Sequence, residues 1–577
     1  MRSEGVLLGI VTLMGVVAVR AAGAEMSILH SQVGYDVGEA NRIVVCADQY
    51  DPVLESAELV LSRAEGATTL NTPLVYRGRQ WGRHWWIADI AECRSPGTYM
   101  ARITMGGETL AVGGAFQVGR DQLWEACYRV ICFEHLDTRA EQAVSGKGWR
   151  DCGSDLQELS SHVVALDAIC DLLETPGLDL DASGRSQLLR HLVIGIGYVA
   201  HLQDRASELG LGDGPVVHEF RQDHVVTGNV AKAAMILARV GRLLRDTEPA
   251  LASDCLSRAE QAFEWISVHG PIVNEEEPVF FPPVHGAPDG SGPPPDQWMT
   301  RDLVMMARAA VELHKAGLSS YQVHGIGYAD RVMARQVPRA SAEGGLWGHF
   351  YTYDDYEQYG GARFTEKANI HCGAWSRDGR IYNKGGHYPH YLMPLIDMLG
   401  LWPDHPRATE WRRCLEQFVE GYLIPAMETS PFEVLPAGYF SGEGLLHFSG
   451  WYHAHNGMYA LAASLALELD SLLGYPRLRE LAVANLQWVA GLNVGVFDPG
   501  SPGHYVPVSM ITGIGREHRG GWTGIPGTIC NGFAATPQFT LEPPRAETDV
   551  PARLHDEGYI AHSLPFVAAL GRLRASR

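Results

Sequence analysis

Between residues 27 and about 119, apolar and polar residues alternate in the way that short β-strands do. Turn residues separate the apolar runs, as Ser95, Pro96 and Gly97 do. The four clearest runs, rich in β-branched and aromatic residues, occupy positions 42–46, 57–61, 85–89 and 99–103. The pattern predicts a small β-sandwich between residues 27 and 119.

After Leu123 the spacing of apolar residues becomes helical. The recurrence of Val230, Ala233, Leu237 and Val240, for example, places an apolar stripe along one helix face. Comparable stretches occupy residues 156–173, 186–209, 256–266, 298–316, 388–399, 410–424, 452–473, 478–492 and 557–574. Taken in pairs, these stretches predict a domain of helical hairpins.

Long connections are expected between these helices. If residues 120–577 form twelve helices, each helix with its connection takes about 38 residues, whereas helices themselves average about 11–12 residues. The longest predicted loops cover residues 274–296, 344–380 and 497–549. We expect them to gather on one rim, where loops on a rigid scaffold commonly carry binding and catalysis.

The N-terminus has the pattern of a secretion signal. Arg2 precedes an apolar stretch at 6–19, and Ala22, Gly23 and Ala24 supply small residues for cleavage. Residues 1–24 are predicted to be removed, which makes the mature protein secreted or periplasmic; an uncleaved anchor is the alternative. No later run of about 18 apolar residues occurs, so we expect no membrane insertion after cleavage.

Composition narrows the classes of function. The 577 residues include 46 basic and 67 acidic ones, a net charge of −21, which disfavours nucleic acid as a partner. The ten cysteines contain no Cys-x-x-Cys pair, so neither a zinc ribbon nor a dense disulfide framework is predicted. Some of them could pair and others could be buried thiols.

Several motifs of other enzyme classes are absent or incomplete. No glycine-rich loop ends in Lys-Ser or Lys-Thr, so a nucleotide site is not predicted. The segment from His218 to Gln222 resembles a zinc-protease helix but has Gln222 where the second histidine is needed. Two histidine pairs, His387 with His390 and His453 with His455, could bind a metal, but we favour rim histidines that bind a polar ligand or the backbone.

Acidic residues near two helix starts are the best candidates for catalysis. Asp151 and Asp155 lie four apart in a glycine-containing turn beside Trp149, just before a helix predicted from about residue 156. Glu557 lies where the last helix is predicted to start. Hydrolysis of a glycosidic bond needs one protonated and one ionised carboxyl group. The alternative is that these residues only cap helices or interact favourably with the helix dipoles.

Several segments resemble glycoside hydrolase family 9. Residues 30–36, 42–45 and 116–119 resemble the immunoglobulin-like domain that precedes the catalytic module in many members. Residues 148–153, Gly-Trp-Arg-Asp-Cys-Gly, resemble the motif Gly-Trp-x-Asp-Ala-Gly-Asp, with Ser154 inserted before Asp155. Similarity extends to 224–266, 451–492, 510–515, 518–519 and 556–557 and thus covers nearly all of the mature chain. It implies a mainly α protein: an immunoglobulin-like β-sandwich at 25–119, then an (α/α)6 barrel at 120–577.

The resemblance also implies roles for single residues. Glu557 would be the general acid, and Asp151 with Asp155 would hold and deprotonate the attacking water, with inversion at the anomeric carbon. His518 and Arg519 would hydrogen-bond sugar hydroxyls, with Glu517 in place of the family's first histidine. We also expect Trp149, Trp375, Arg377 and His453 to contact sugar, although aromatic residues at this density can equally be packing.

The expected function is a secreted inverting hydrolase of a β-linked glucan or a related polysaccharide or oligosaccharide. One alternative is a polysaccharide lyase on a similar barrel, using His387, His390, Tyr391, His453 and Arg519. A second is a carbohydrate-binding relative that has lost the base. No cofactor is required. The family often carries structural calcium, but no Asp-x-Asp-x-Asp-Gly series locates a site for it in this sequence.

Overall fold

The computed structural model describes residues 25–63, 68–223, 225, 227–270, 298, 300–342, 344–350, 374–377, 380–383, 392–436, 438–440, 445–449, 456–517, 524–533 and 554–577. The predicted signal segment 1–24 lies outside these residues. Within them, a β-sandwich is followed by a ring of helical hairpins, so the predicted fold class, an (α/α)6 barrel after an immunoglobulin-like domain, is confirmed.

Two sheets form the N-terminal sandwich. The first, in spatial order, has β1 (Met26–Leu29), β3 (Arg42–Ala47), β7 (Arg83–Asp89) and β6 (Val75–Gln80). The second has β2 (Tyr35–Asp36), β9 (Glu108–Gly119), β8 (Gly97–Met105), β4 (Glu58–Arg63) and β5 (Thr68–Pro73). All neighbouring strands are antiparallel except β2 and β9, which are parallel. The four strands predicted from sequence correspond to β3, β4, β7 and β8.

Both faces of strands β3 and β7 in the first sheet are buried, and this fixes the sandwich on the barrel. Along β3, Ile43 and Val45 point into the sandwich, whereas Val44 and Cys46 join the hydrophobic core of the helices. On β7 the same alternation places Trp86 inside the sandwich and Trp85 against the barrel. The ring centroid of Trp85 lies 5.2 Å from that of Phe432. The two domains therefore share one continuous apolar interface.

Helices alternate between an outer and an inner ring. The six inner helices, which contact one another in this order and close the ring from last to first, are α3 (Leu159–Glu174), α5 (Thr227–Leu244), α7 (Thr300–Lys315), α9 (Met393–Leu401), α12 (Asn456–Leu473) and α14 (Ile560–Ala575). The outer ring has α1 (Gln122–Arg129) with α2 (Leu136–Glu141), α4 (Ala182–Glu208), α6 (Pro249–His269), α8 (Gln322–Ala334), α10 (Ala408–Phe418) with α11 (Ile424–Met427), and α13 (Pro476–Val489). Wider π-type turns, Val130–His135 and Val419–Leu423, join the two paired segments.

The connections differ in length on the two rims. Each link from an outer to the next inner helix is long, as at 335–392 and 490–559, whereas links from inner to outer helices are short, as at 245–248 and 474–475. The long loops therefore share the rim where all six inner helices begin, as predicted. The positive ends of the inner helix dipoles point to this rim and favour acidic groups there.

A network of ion pairs occupies the opposite end of the inner ring. Arg239 binds Asp171 at 2.7 Å, Arg308 binds Asp167 at 2.8 Å, and Lys315 binds Asp397 at 3.1 Å. All six inner helices contribute to this charged ring, which consists of Asp167, Asp171, Glu174, Arg239, Arg242, Arg308, Glu312, Lys315, Asp397, Glu468 and Arg572. These buried charges satisfy one another, which is the condition for tolerating them inside a protein.

Some predicted boundaries were wrong. The helix expected from residue 156 begins at Leu159, so Asp155 is not its cap. The last helix begins at Ile560, and Glu557 lies in strand β17 (Leu554–Tyr559), which pairs with β16 (Ile529–Phe533). Three small sheets were missed: β10 (Ala374–Arg377) with β11 (Arg380–Asn383), β12 (Gly438–Phe440) and β13 (Leu445–His447); β14 (Val496–Phe497) with β15 (Tyr505–Val506); and β16 with β17. Helix α8 was also missed.

The described cysteines are all free. Eight are buried and Cys530 is half-buried. Burial raises the pKa of the Cys127 and Cys132 thiols, so both stay protonated and act as small apolar side chains. None of the described helices combines the length and the hydropathy that a membrane span requires.

Candidate active site

The turn that carries Asp151 is fixed by close packing against two helices. Gly148 has a φ of +66°, and a Cβ there would lie 2.6 Å from His162 Nε2 and 2.7 Å from Tyr198 Cβ. The next amide, Trp149 N–H, donates to His162 Nε2 at 3.0 Å. Glycine at 148 is therefore required both for the backbone conformation and for the space.

Trp149 lies inside the helical domain and does not face the rim. Its side chain has no exposed surface, and its ring stacks on that of His162 with a centroid distance of 5.5 Å. The absence of a side chain at Gly195 makes room for it, since a Cβ there would lie 2.3 Å from the indole. The predicted sugar contact of Trp149 is thus contradicted by its burial, and the ring instead supports the turn.

Asp151 is a fully buried carboxyl group at the start of the inner ring. Its Oδ2 accepts the Glu158 N–H at 3.0 Å, and its own carbonyl accepts the Ile560 N–H at 2.9 Å. Burial raises the pKa of Asp151 well above its usual range, and the negative charge of Glu158 raises it further. Both effects favour the protonated form of Asp151.

Glu557 reaches the same place from the other end of the chain. The Gly153 N–H donates to Glu557 Oε1 at 3.3 Å, and the Tyr559 hydroxyl donates to Oε2 at 3.2 Å. Only 8% of Glu557 is exposed. The expectation that the turn after Trp149 and the segment before the last helix meet at one site is confirmed by these contacts.

One buried arginine ties the two acidic segments together. Arg139, on the outer helix α2, donates to the carbonyls of Arg150 at 2.7 Å, Cys152 at 3.3 Å and Gly558 at 3.1 Å. Burial lowers the pKa of Arg139 to about 10, so the guanidinium is still charged at neutral pH. Because its acceptors flank Asp151 and Glu557, Arg139 sets the relative position of the two carboxyl groups.

Asp155 faces solvent at the same turn. Its backbone carbonyl accepts a hydrogen bond from Arg221 Nη2 at 3.1 Å, and its side chain is exposed. Ser154, the residue before it, accepts the Leu156 N–H on Oγ at 3.3 Å and lies 3.1 Å from Cys152 Sγ. The side chain of Asp151 is thus buried away from water, whereas that of Asp155 is exposed to it.

The other predicted ligand contacts fall largely outside the described residues. This applies to His453, His518 and Arg519 and to the alternative lyase set His387, His390 and Tyr391. Trp375 and Arg377 lie on strand β10 opposite Tyr382 and Arg380, but their side chains are not described. Glu517 uses its Oε1 to accept the Gly513 N–H at 2.8 Å, so it stabilises its own loop.

Four site residues were not predicted from the sequence: Arg139, Glu158, His218 and Tyr559. Arg139, Glu158 and His218 acquire their places through contacts distant in sequence, for example the 3.4 Å separation of His218 Nε2 and Glu158 Oε1. The only local signal was that Glu158 immediately precedes a long apolar helix. Among the described residues no group of three histidine, cysteine or acidic side chains could hold a metal ion.

Acidification from pH 6.5 to pH 4 is expected to destabilise the protein through His162. Burial lowers the pKa of His162 to about 4, and its Nε2 must stay unprotonated to accept the Trp149 N–H. The unfolded chain, with an ordinary histidine pKa, gains a proton in this window that the folded chain does not. The free energy of unfolding should therefore fall by up to about 3 kcal/mol as the pH falls from 6.5 to 4.

Urea unfolding at pH 7, 5.5 and 4 would measure this effect. The variant His162→Gln keeps an acceptor without a titrating ring, so its free energy of unfolding should depend less on pH across this window. Equal slopes for the variant and the unmodified protein would show that His162 is not the group responsible.

Comparison with known proteins supports the fold. No protein-family model and no curated protein matches the sequence. Among solved structures, a metagenome-derived glycoside hydrolase family 9 endoglucanase is 19% identical with a TM-score of 0.62, covering 95% of this chain and 99% of that chain. A Bacteroides ovatus family 9 protein is 14% identical with a TM-score of 0.60, with the same coverage.

A third structure, AaCel9A in complex with cellobiose-like isofagomine, is 16% identical with a TM-score of 0.58. It covers 95% of this chain and 99% of its own. At such identities the likeness concerns the fold, and it extends over both the sandwich and the helical barrel. The resemblance in fold that was inferred from the sequence is confirmed.

Proposed function

We propose that this protein is an exported inverting glycoside hydrolase that cleaves a β-linked glucan or a related polysaccharide or oligosaccharide. The observation that carries the proposal is the meeting of Glu557 with the turn of Asp151 and Asp155 on the loop-bearing rim, through the bond from Gly153 N–H to Glu557. Export rests on the signal-like pattern of residues 1–24.

The environment of each carboxyl group supports a division of roles. Glu557 is nearly buried, and burial disfavours the charged form of a carboxyl group, as suits a group that delivers a proton to the leaving oxygen. Asp155 is open to solvent, as suits a base that acts on water. An inverting reaction needs roughly 6.5–9.5 Å between acid and base, so that a water fits between the base and the sugar.

The shared fold gives independent support for the substrate class. The AaCel9A structure holds a cellobiose-like isofagomine, and the family 9 protein from a metagenome is described as an endoglucanase. A sugar polymer also suits a rim formed by long loops, because an extended chain can lie across it.

A panel of glucans, xylans and uronate polymers would test the proposal. Release of reducing ends without absorbance from unsaturated sugar ends is the expected result. Unsaturated ends would instead indicate the lyase alternative, and binding without cleavage would indicate a carbohydrate-binding protein. Either of these two outcomes would overturn the proposed activity.

Substitution of the two aspartates is expected to have unequal effects. Asp155→Asn should lower kcat by about 10²-fold, because the general base is lost. Asp151→Asn should lower kcat less, because Asp151 is buried and its environment already favours the neutral form. The measurement is kcat on the best substrate of the panel. A larger loss for Asp151→Asn would show that Asp151, and not Asp155, activates the water.

A further inference from the structure

Two arginines hold the backbone at the exposed end of the active-site turn. Arg150 donates from Nη2 to the Gly153 carbonyl at 2.5 Å and from Nε to the Ser154 carbonyl at 2.9 Å. Arg221 donates from Nη2 to the Asp155 carbonyl at 3.1 Å. Three successive carbonyl groups are therefore bonded to guanidinium groups, which are charged at any pH at which the protein is folded.

The whole turn is held in the same way. The carbonyls at 150–152 accept hydrogen bonds from Arg139 and from the Ile560 N–H, so every carbonyl from 150 to 155 is bonded. A bonded carbonyl fixes the orientation of its peptide plane, and the peptide planes set the direction of each Cα–Cβ bond. This matters most at Asp155, because its side chain is exposed and its position depends on the backbone that carries it.

Arg221 is itself anchored on a buried carboxylate. Its Nε and Nη2 both lie 2.9 Å from Glu219 Oε1, and its backbone N–H donates to Glu219 Oε2 at 3.0 Å. Only 1% of the Glu219 side chain is exposed. The Leu159 N–H donates to the His218 carbonyl at 3.0 Å and ties this segment to the start of α3. Arg221 thus connects Asp155 to a rigid part of the inner ring.

The geometry of this connection requires an arginine. The fork of Nε and Nη2 faces Glu219, and Nη2 also reaches the Asp155 carbonyl. A lysine ends one bond short of the Nη atoms, so an ammonium group bonded to Glu219 would not extend to Asp155. The bond is made to the backbone carbonyl of Asp155, so the carboxylate oxygens are not used in it and can accept from water.

We propose that Arg221 is a positioning residue that, anchored by Glu219, holds Asp155 in place to deprotonate the attacking water. The inference rests on the proposed function in taking Asp155 as the base. Arg150 supports the same turn through the two preceding carbonyls. An exposed base can then act from a defined position, although no packing surrounds its side chain.

Amide hydrogen exchange of the full-length protein tests the holding of the turn without substrate. In Arg221→Met, peptide 150–158 should exchange at least about threefold faster, because the turn opens more often once its tie to Glu219 is lost. Arg205→Met is the matched control: Arg205 lies on α4, has a side chain 37% exposed against 44% for Arg221, and pairs with Glu208 at 3.5 Å. Its exchange at 150–158 should equal that of the unmodified protein.

Unchanged exchange of this peptide in Arg221→Met, or an equal increase in Arg205→Met, would overturn the proposal. The measurement does not depend on activity. If no polysaccharide of the panel is cleaved, the proposed function fails, and the exchange rates still decide whether Arg221 holds the turn.

Kinetics of double variants tests whether Arg221 acts through Asp155. Arg221→Met should lower kcat about tenfold and change KM less than about twofold, because the base is misplaced while sugar binding is kept. Arg221→Lys should recover little of this loss. In the Asp155→Asn background, which has already lost the base, adding Arg221→Met should lower kcat by less than about twofold. A tenfold loss in both backgrounds, or full recovery by lysine, would overturn the proposal.

Discussion

Replacement of Glu557 by glutamine is expected to lower kcat by about 10³-fold or more while leaving substrate binding within a few-fold. Glutamine keeps the size of the side chain and can still accept the Gly153 N–H, but it has no proton to give to the leaving oxygen. Loss of a group that acts only in the transition state lowers kcat and kcat/KM together. Steady-state kinetics and calorimetric titration with an oligosaccharide would separate the two effects.

The neighbouring Asp556 offers a matched control. It lies on the same strand, and because successive side chains point to opposite faces it is directed away from the Glu557 side. Asp556→Asn should keep kcat within about threefold. Full activity of Glu557→Gln, or an equal loss in both variants, would remove the acid role from Glu557.

Arg139→Met is expected to destabilise the protein by about 3–5 kcal/mol and to abolish most activity. The substitution leaves the carbonyls of Arg150, Cys152 and Gly558 without their buried charged donor. Removing a buried charge from a satisfied network carries a cost of this size. The loss of activity should exceed the loss that the unfolded fraction of the variant alone would cause. The reason is that the segments of Asp151 and Glu557 lose their common anchor. Urea unfolding and kcat at a temperature where the variant is folded would measure both.

Arg190→Met is the corresponding surface control. Arg190 pairs with Asp137 near the same outer helix, but about half of its side chain is exposed. Its loss should change the free energy of unfolding by less than about 1 kcal/mol. If Arg139→Met were as stable and active as Arg190→Met, the proposed anchoring by Arg139 would be wrong.

Much of the architecture was predictable because local periodicity determines it. The apolar stripes of α5 and α6 and the runs of β3 and β7 are read directly from neighbouring residues. Strand β17 was missed because His555, Asp556 and Glu557 look like the polar start of the helix that follows. Its strand conformation depends on pairing with β16, over 20 residues away, and sequence periodicity does not report such pairing.

At the site, the sequence identified the two segments but not the environment of each side chain. An aromatic residue beside carboxyl groups fits either sugar stacking or packing, and only the space at Gly195 shows that Trp149 is packed. Similarly, the anchoring role of Arg139 follows from carbonyls on two segments more than 400 residues apart. These features depend on tertiary contacts and so have no local signature.

The charged ring at the far end of the barrel limits how a polymer could move. Side chains from all six inner helices form ion pairs with one another there, so threading of a glycan through the ring would require breaking several of these ion pairs at once. In the proposed hydrolase, a glycan would therefore enter and leave by the loop-bearing rim. In the proposed reaction, both cleavage products would leave by that rim and not through the far end of the barrel.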